Sequence, residues 1–107
     1  MEDNAWNTID QLADWLDRGS EMPEETRTIL QILKITEEAG EVAEALIGVT
    51  GQNPRKGTSH TWVDVQNELC DVIVSAMVAL TRLNPDARTV FSANLARIAQ
   101  RSLEAAG

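Results

Sequence analysis

A chain of 107 residues has room for one domain, near the size at which a lone core stabilises a fold only modestly. Its 9 basic and 17 acidic side chains leave a formal net charge of −8, which repels a nucleic-acid backbone, so neither a duplex nor a long single strand is an expected partner. The longest weakly charged stretch, residues 69–81, is too short to span a bilayer and contains Asp71, so no membrane role is expected.

The first apolar spacing, Ala5, Ile9, Leu12 and Leu16, predicts a helix that stops near Arg18, with Gly19 as its end. Pro23 opens a second helix, and Glu24 and Glu25 sit in its first turn, where the helix dipole favours negative charge. That helix is predicted to run to Ile47. Residues 48–57 read as a loop because they gather Gly, Asn and Pro. Thr61 and Asp64 have the spacing of a capping box for a third helix reaching about Leu83. Asn84 and Pro85 read as a cap and a first-turn proline, and Ala87, Phe91, Leu95 and Ile98 carry a fourth helix to Gly107. The expectation is an all-α bundle of about four helices, forming a single domain over residues 1–107.

On the second helix, Ile32, Ile35, Ala39, Val42, Ala43 and Leu46 share one face at 100° per residue. Lys34, Glu37, Glu38 and Glu41 cluster on the opposite side. Taken alone, that cluster is compatible with the solvated face of an amphipathic helix. The third helix is apolar almost all round from Leu69 to Leu80, as a buried helix is, and Asp71 is its one charge. Glu68 lies one turn earlier on the same face, so Glu68 and Asp71 repeat the spacing of Glu38 and Glu41. Packed side by side, the two helices point four carboxylates at one locus.

Four such anions repel one another unless a cation sits among them or protons are taken up, and Lys34 can neutralise one at most. Oxygen ligands without Cys or paired His favour Mg²⁺, with Mn²⁺ as its substitute. The competing structural reading pairs these carboxylates with Arg82 or Arg97. A di-iron bundle needs Glu-x-x-His, whereas the sole histidine, His60, precedes the third helix. Cys70 reads as an inert core residue. With one cysteine, and with neither a basic region nor an apolar run at Met1 to Asn4, a cytoplasmic location is expected.

Lys34-x-x-Glu37-Glu38-x-x-Glu41 followed by Glu68-x-x-Asp71 resembles the signature of the MazG-like all-α pyrophosphohydrolases, over roughly residues 30–83. The resemblance implies Mg²⁺-dependent cleavage of a nucleoside triphosphate, NTP or dNTP, to monophosphate and pyrophosphate. It implies metal held at Glu38, Glu41, Glu68 and Asp71, with Glu37 assisting a further metal or the attacking water. Asn94 and Arg97 resemble a sugar- or base-contacting and a phosphate-contacting pair; exposed helix polarity is the alternative. Arg55 and Lys56, in the loop between the two motif helices, are candidates to contact the departing pyrophosphate or are an ordinary solvated turn. Trp62, beside that loop, is the candidate for stacking on a base, while Trp6 and Trp15 read as core or dimer-interface packing residues. The family's dimers, and the Val/Ile/Met faces a short chain leaves uncovered, point to a homodimer, with a homotetramer second. Two other functions stay open: a non-catalytic nucleotide-binding or regulatory helical module, and activity like that of phosphoribosyl-ATP pyrophosphohydrolase.

Overall fold

Four α-helices follow one another in the computed structural model, which describes residues 3–104: α1 (Asp3–Arg18), α2 (Glu24–Thr50), α3 (Trp62–Leu83) and α4 (Ala87–Ala99). A π-helical turn, Gln100–Glu104, continues α4. No strand occurs among the described residues. The predicted continuation of the last helix to Gly107 falls partly outside them.

The helix ends follow local chemistry. At α3, Asp64 N donates to Thr61 Oγ1 and Thr61 N donates to Asp64 Oδ2 at 2.8 Å, which completes the predicted capping box. Helix α2 runs three residues past the predicted Ile47, because Gly48 costs a helix interior only about 1 kcal/mol. It stops at Gly51, whose φ of +65° is the left-handed region that glycine enters freely. Helix α4 begins at Ala87 rather than at Pro85. Asn84 Oδ1 accepts from Asp86 N at 2.8 Å, so this asparagine closes a turn between α3 and α4 instead of capping α4.

Two seams hold the helices. Along one, α1 and the start of α4 pack on α3 through Trp6, Ile9, Ala13, Met77, Val78 and Ala87, with Phe91 tilted against the Trp6 ring at 5.9 Å. The buried stripe of α1 is therefore Trp6, Ile9 and Ala13; Leu12 and Leu16, predicted to lie on it, are exposed. The reason is the Trp6 ring, whose large area turns the helix toward α3 and Phe91. Along the other seam, α2 and α3 pack antiparallel. Here the structure inverts the expectation for α2. Its buried residues are Gln31, Glu38, Ala45 and Gly48, whereas Ile32, Ala39, Ala43 and Leu46 of the predicted apolar face are exposed.

Helix α3 is likewise covered only on the sides facing its neighbours. Leu69, Ile73 and Val74 are exposed, as are Asp71 and Cys70, so Cys70 is not a core residue in the single chain. Trp15 is also exposed in the single chain, so it is not part of that chain's core. The radius of gyration, 17.1 Å, exceeds the roughly 13 Å of a globular chain of this length. One copy thus forms a flat, open layer that leaves much apolar surface of α2 and α3 uncovered while Glu38 is buried in the seam between them.

Candidate metal centre

Glu38 and Glu41 reach the α2–α3 seam because they lie one turn apart on the face of α2 that also carries Gln31 and Ala45. Glu68 and Asp71 approach from α3 with the same spacing. The seam's register is set two turns away, where Gln31 Nε2 donates to the Ser75 carbonyl at 3.0 Å in a buried bond. Each of the four residues places one carboxylate oxygen within 4.8 Å of the others. In an octahedral Mg²⁺ shell with 2.0–2.1 Å bonds, opposite ligands are about 4.2 Å apart, so the group is close to coordinating size.

Burial grades across the cluster. Glu38 is 8% exposed, Glu41 and Glu68 are half-buried, and Asp71 is open to solvent. Glu68 Oε2 is buried with no hydrogen-bond partner. An oxygen so placed costs about 1–3 kcal/mol unless something satisfies it. The cation that touches the cluster is Lys34, 3.5 Å from Glu38 Oε1 and itself half exposed. It offsets one negative charge of four. A hydrogen bond shared with Glu68, and next the charge of Glu38, push the Glu41 carboxyl above its ordinary range. An all-oxygen donor set and an orphaned buried oxygen fit a hard divalent cation.

The competing structural reading is not what the arginines do. Arg82 Nη1 lies 2.5 Å from Asp17 Oδ1, and Arg27 Nε approaches the same oxygen at 3.1 Å. Burial alone raises the Asp17 carboxyl, but the Arg82 bond and charge, joined by Arg27, outweigh it and hold the group below its ordinary range. Arg97 Nη2 donates to Asn94 Oδ1 at 2.8 Å, and Asn94 Nδ2 donates to the Val90 carbonyl. Asn94 and Arg97 thus satisfy each other on the exposed side of α4. Glu37 is exposed on α2, one residue from the buried Glu38, and is not one of the four gathered oxygens.

Beyond the carboxylates, a cavity of about 400 Å³ lies between the C-terminal half of α2 and the loop leading to α3. Lys56 lines it. The Arg55 side chain and Trp62, both exposed, are outside its lining. The loop is built on Asn53, whose side chain accepts from Arg55 N and whose carbonyl accepts from Lys56 N and Gly57 N. Ser59 N donates to the Gly48 carbonyl at 3.0 Å and ties the loop's end back to the helix. Ser59 and His60, which the sequence reading gave no role, border the same cavity. The sequence signal was Gly48, a glycine inside a helix that needs a close neighbour to explain it.

Compared with known protein families, with curated proteins and with solved structures, the chain has no significant match.

Proposed function

We propose that this chain is a Mg²⁺-dependent nucleoside triphosphate pyrophosphohydrolase of the MazG-like kind. The observation that carries the reading is the meeting of Glu38, Glu41, Glu68 and Asp71 within 4.8 Å across a seam that buries Glu38. Carboxylates turned inward, while Ile, Leu and Ala of the same helix face out, are costly for stability and call for a functional reason. Mg²⁺, or Mn²⁺ in its place, supplies the positive charge that screens these groups and offsets charge on phosphate oxygens.

The chain's own residues then have separate tasks. The four carboxylates would hold the cation at the α2–α3 seam, where a triphosphate would dock. Glu37, beside them and open to solvent, orients a water molecule and accepts its proton. The water oxygen bonds to the α phosphorus as the bond to the α–β bridging oxygen breaks, and pyrophosphate departs with that electron pair. Arg55 and Lys56 attract the departing anion, and Asn94 and Arg97 extend the contact surface for the substrate.

The outward apolar faces of α2 and α3 support a homodimer as the working unit. Ile29, Leu33 and Ile47 on α2 and Leu69 and Ile73 on α3 are each about half exposed in one copy. A chain with this much uncovered apolar surface gains by burying it against its equal. The reading is tested by incubating common and damaged NTPs and dNTPs with the protein and Mg²⁺, and by detecting pyrophosphate separately from phosphate. Release of pyrophosphate from at least one of them supports it; no release from any overturns it.

A further inference from the structure

We propose that the cavity between α2 and the α2–α3 loop is the socket of a self-complementary interface: α2 pairs antiparallel with α2 of a second copy, and Ile29 and Leu33 of each copy enter the other's cavity. This rests on the homodimer reading and not on the chemistry of the carboxylates. On the side of α2 turned away from Glu38, residues 29, 33, 36, 40, 43 and 47 recur at alternating steps of four and three. That is the spacing of a seam between two paired helices. All six are exposed in the single chain. The stripe carries large apolar side chains at Ile29 and Leu33, narrows at Thr36, Gly40 and Ala43, and ends on Ile47.

The cavity lies at the far half of this same stripe. Gly40, Ala43 and Ile47 form its wall on α2, and Asn53, Lys56, Gly57, Ser59 and His60 its wall on the loop. At Gly40 the space where a Cβ would sit is open. At Gly48 that space is taken by the His60 imidazole, whose Nδ1 would be 2.0 Å from the added carbon, so the ring closes the cavity against the helix. Large residues near one end of a straight helix cannot enter a cavity near its other end within one chain. In a second copy they can. Antiparallel pairing about a two-fold axis level with residue 38 sets 29 opposite 47, 33 opposite 43 and 36 opposite 40, so that Leu33 meets Ala43, Thr36 meets Gly40 and Ile29 meets the open side of Ile47. The contact is isologous and closes on itself.

Charge agrees with this register. Residue 25 stands level with residue 51 of the second copy, which brings the acidic first turn of α2, with Glu24 and Glu25, beside the loop that carries Arg55 and Lys56. Glu37 and Glu44 lie about 60–80° off the stripe, at the solvent edge of the pair, where repulsion between like charges is screened. Ridge, socket and both signs of charge come from one chain, and this is why the occupant is a second copy rather than another protein.

The test uses the full chain with Cys70→Ser, so that each added cysteine is the only one present. Leu33→Cys and Ala43→Cys are prepared separately and oxidised alone and mixed. A disulfide-linked dimer is expected in the mixture and in neither variant alone, because each of these positions is about 15 Å along the axis from its own copy in the antiparallel pair. Sedimentation of the uncrosslinked chain is expected to give a dimer at micromolar concentration. Leu33→Asp, at a position already exposed in one copy, is expected to weaken it by at least about tenfold with unchanged helical circular dichroism. Glu25→Lys and Lys56→Glu are each expected to weaken association and, combined in one chain, to restore it; Lys56 also serves the anion contact proposed above, so these variants are read by association and not by turnover. Crosslinking of either cysteine variant alone, no crosslink in the mixture, or a dimer indifferent to Leu33→Asp overturns the α2 pairing and leaves a homodimer through another surface. A monomer at micromolar concentration overturns the pairing and the homodimer together, while the release of pyrophosphate is judged separately by its own assay.

Discussion

Gln31 and Ser75 face each other across the α2–α3 seam, and seven residues on from each, toward the loop, stand Glu38 and Glu68. Because the helices are antiparallel and seven residues make about two turns, the Gln31 side-chain bond to the Ser75 carbonyl fixes the register that brings the carboxylates together. Gln31→Ala is expected to lower stability by about 1 kcal/mol, the net worth of one buried hydrogen bond. It is also expected to weaken Mg²⁺ binding although it touches no ligand. Chemical denaturation and calorimetric Mg²⁺ titration of the variant check both, and unchanged metal affinity would detach the register from the site.

Glu38→Gln and Asp71→Asn are expected to cut turnover by at least about a hundredfold, as loss of groups that stabilise the transition state does. The helical circular dichroism is expected to stay near that of the parent. Relief of repulsion among the carboxylates acts in the direction of higher stability for the metal-free variants. A variant retaining near-parent rates removes that residue from the ligand set.

The raised Glu41 carboxyl gives a pH signature. Its folded pKa lies above the ordinary 4.5, so the folded chain holds a proton that the unfolded chain releases. The associated stability is present below the ordinary Glu value and is lost as pH rises through the raised one. Stabilisation by Mg²⁺ is expected to grow over the same window, as the cation replaces the proton. Melting temperatures measured with and without Mg²⁺ across that range check this, and Glu41→Gln is expected to flatten the metal-free trend.

Asp17 behaves oppositely. Its folded pKa is lowered, so its contribution is present above the ordinary Asp value and is lost as pH falls through the lowered one. Asp17→Asn is expected to cost about 2 kcal/mol, since the Arg82 side chain, 7% exposed, loses its charged partner. Solvent at the 40% exposed Asp17 keeps the cost from being larger. Urea denaturation at neutral pH measures it, and a loss below a few tenths of a kcal/mol contradicts the assignment.

The helices and the motif carboxylates were legible in the sequence because both follow helical period and cap chemistry: Thr61 with Asp64, Gly19, and the i, i+3 pairs Glu38/Glu41 and Glu68/Asp71. Which face of α2 turns inward was not. Amphipathic reasoning places Ile32, Ala39 and Leu46 against a partner within the chain. The structure spends that seam on Gln31, Glu38 and Ala45 instead. Periodicity identifies a face but not its partner, and a second copy competes with the chain's own helices for it. The cavity was illegible for a related reason. Gly48 reads as a helix stop until the His60 ring is found occupying the place of its Cβ.

The α–β specificity of cleavage is the central claim, and hydrolysis in ¹⁸O-labelled water tests it most directly. A reactive triphosphate, Mg²⁺ and the protein are expected to give nucleoside monophosphate and pyrophosphate in equal amounts, with one ¹⁸O in the monophosphate, as attack at the α phosphorus requires. Excess EDTA is expected to stop the reaction. Diphosphate and inorganic phosphate as the main products, or full turnover in EDTA, would contradict the account of the four carboxylates as the cradle of a metal-dependent pyrophosphohydrolase.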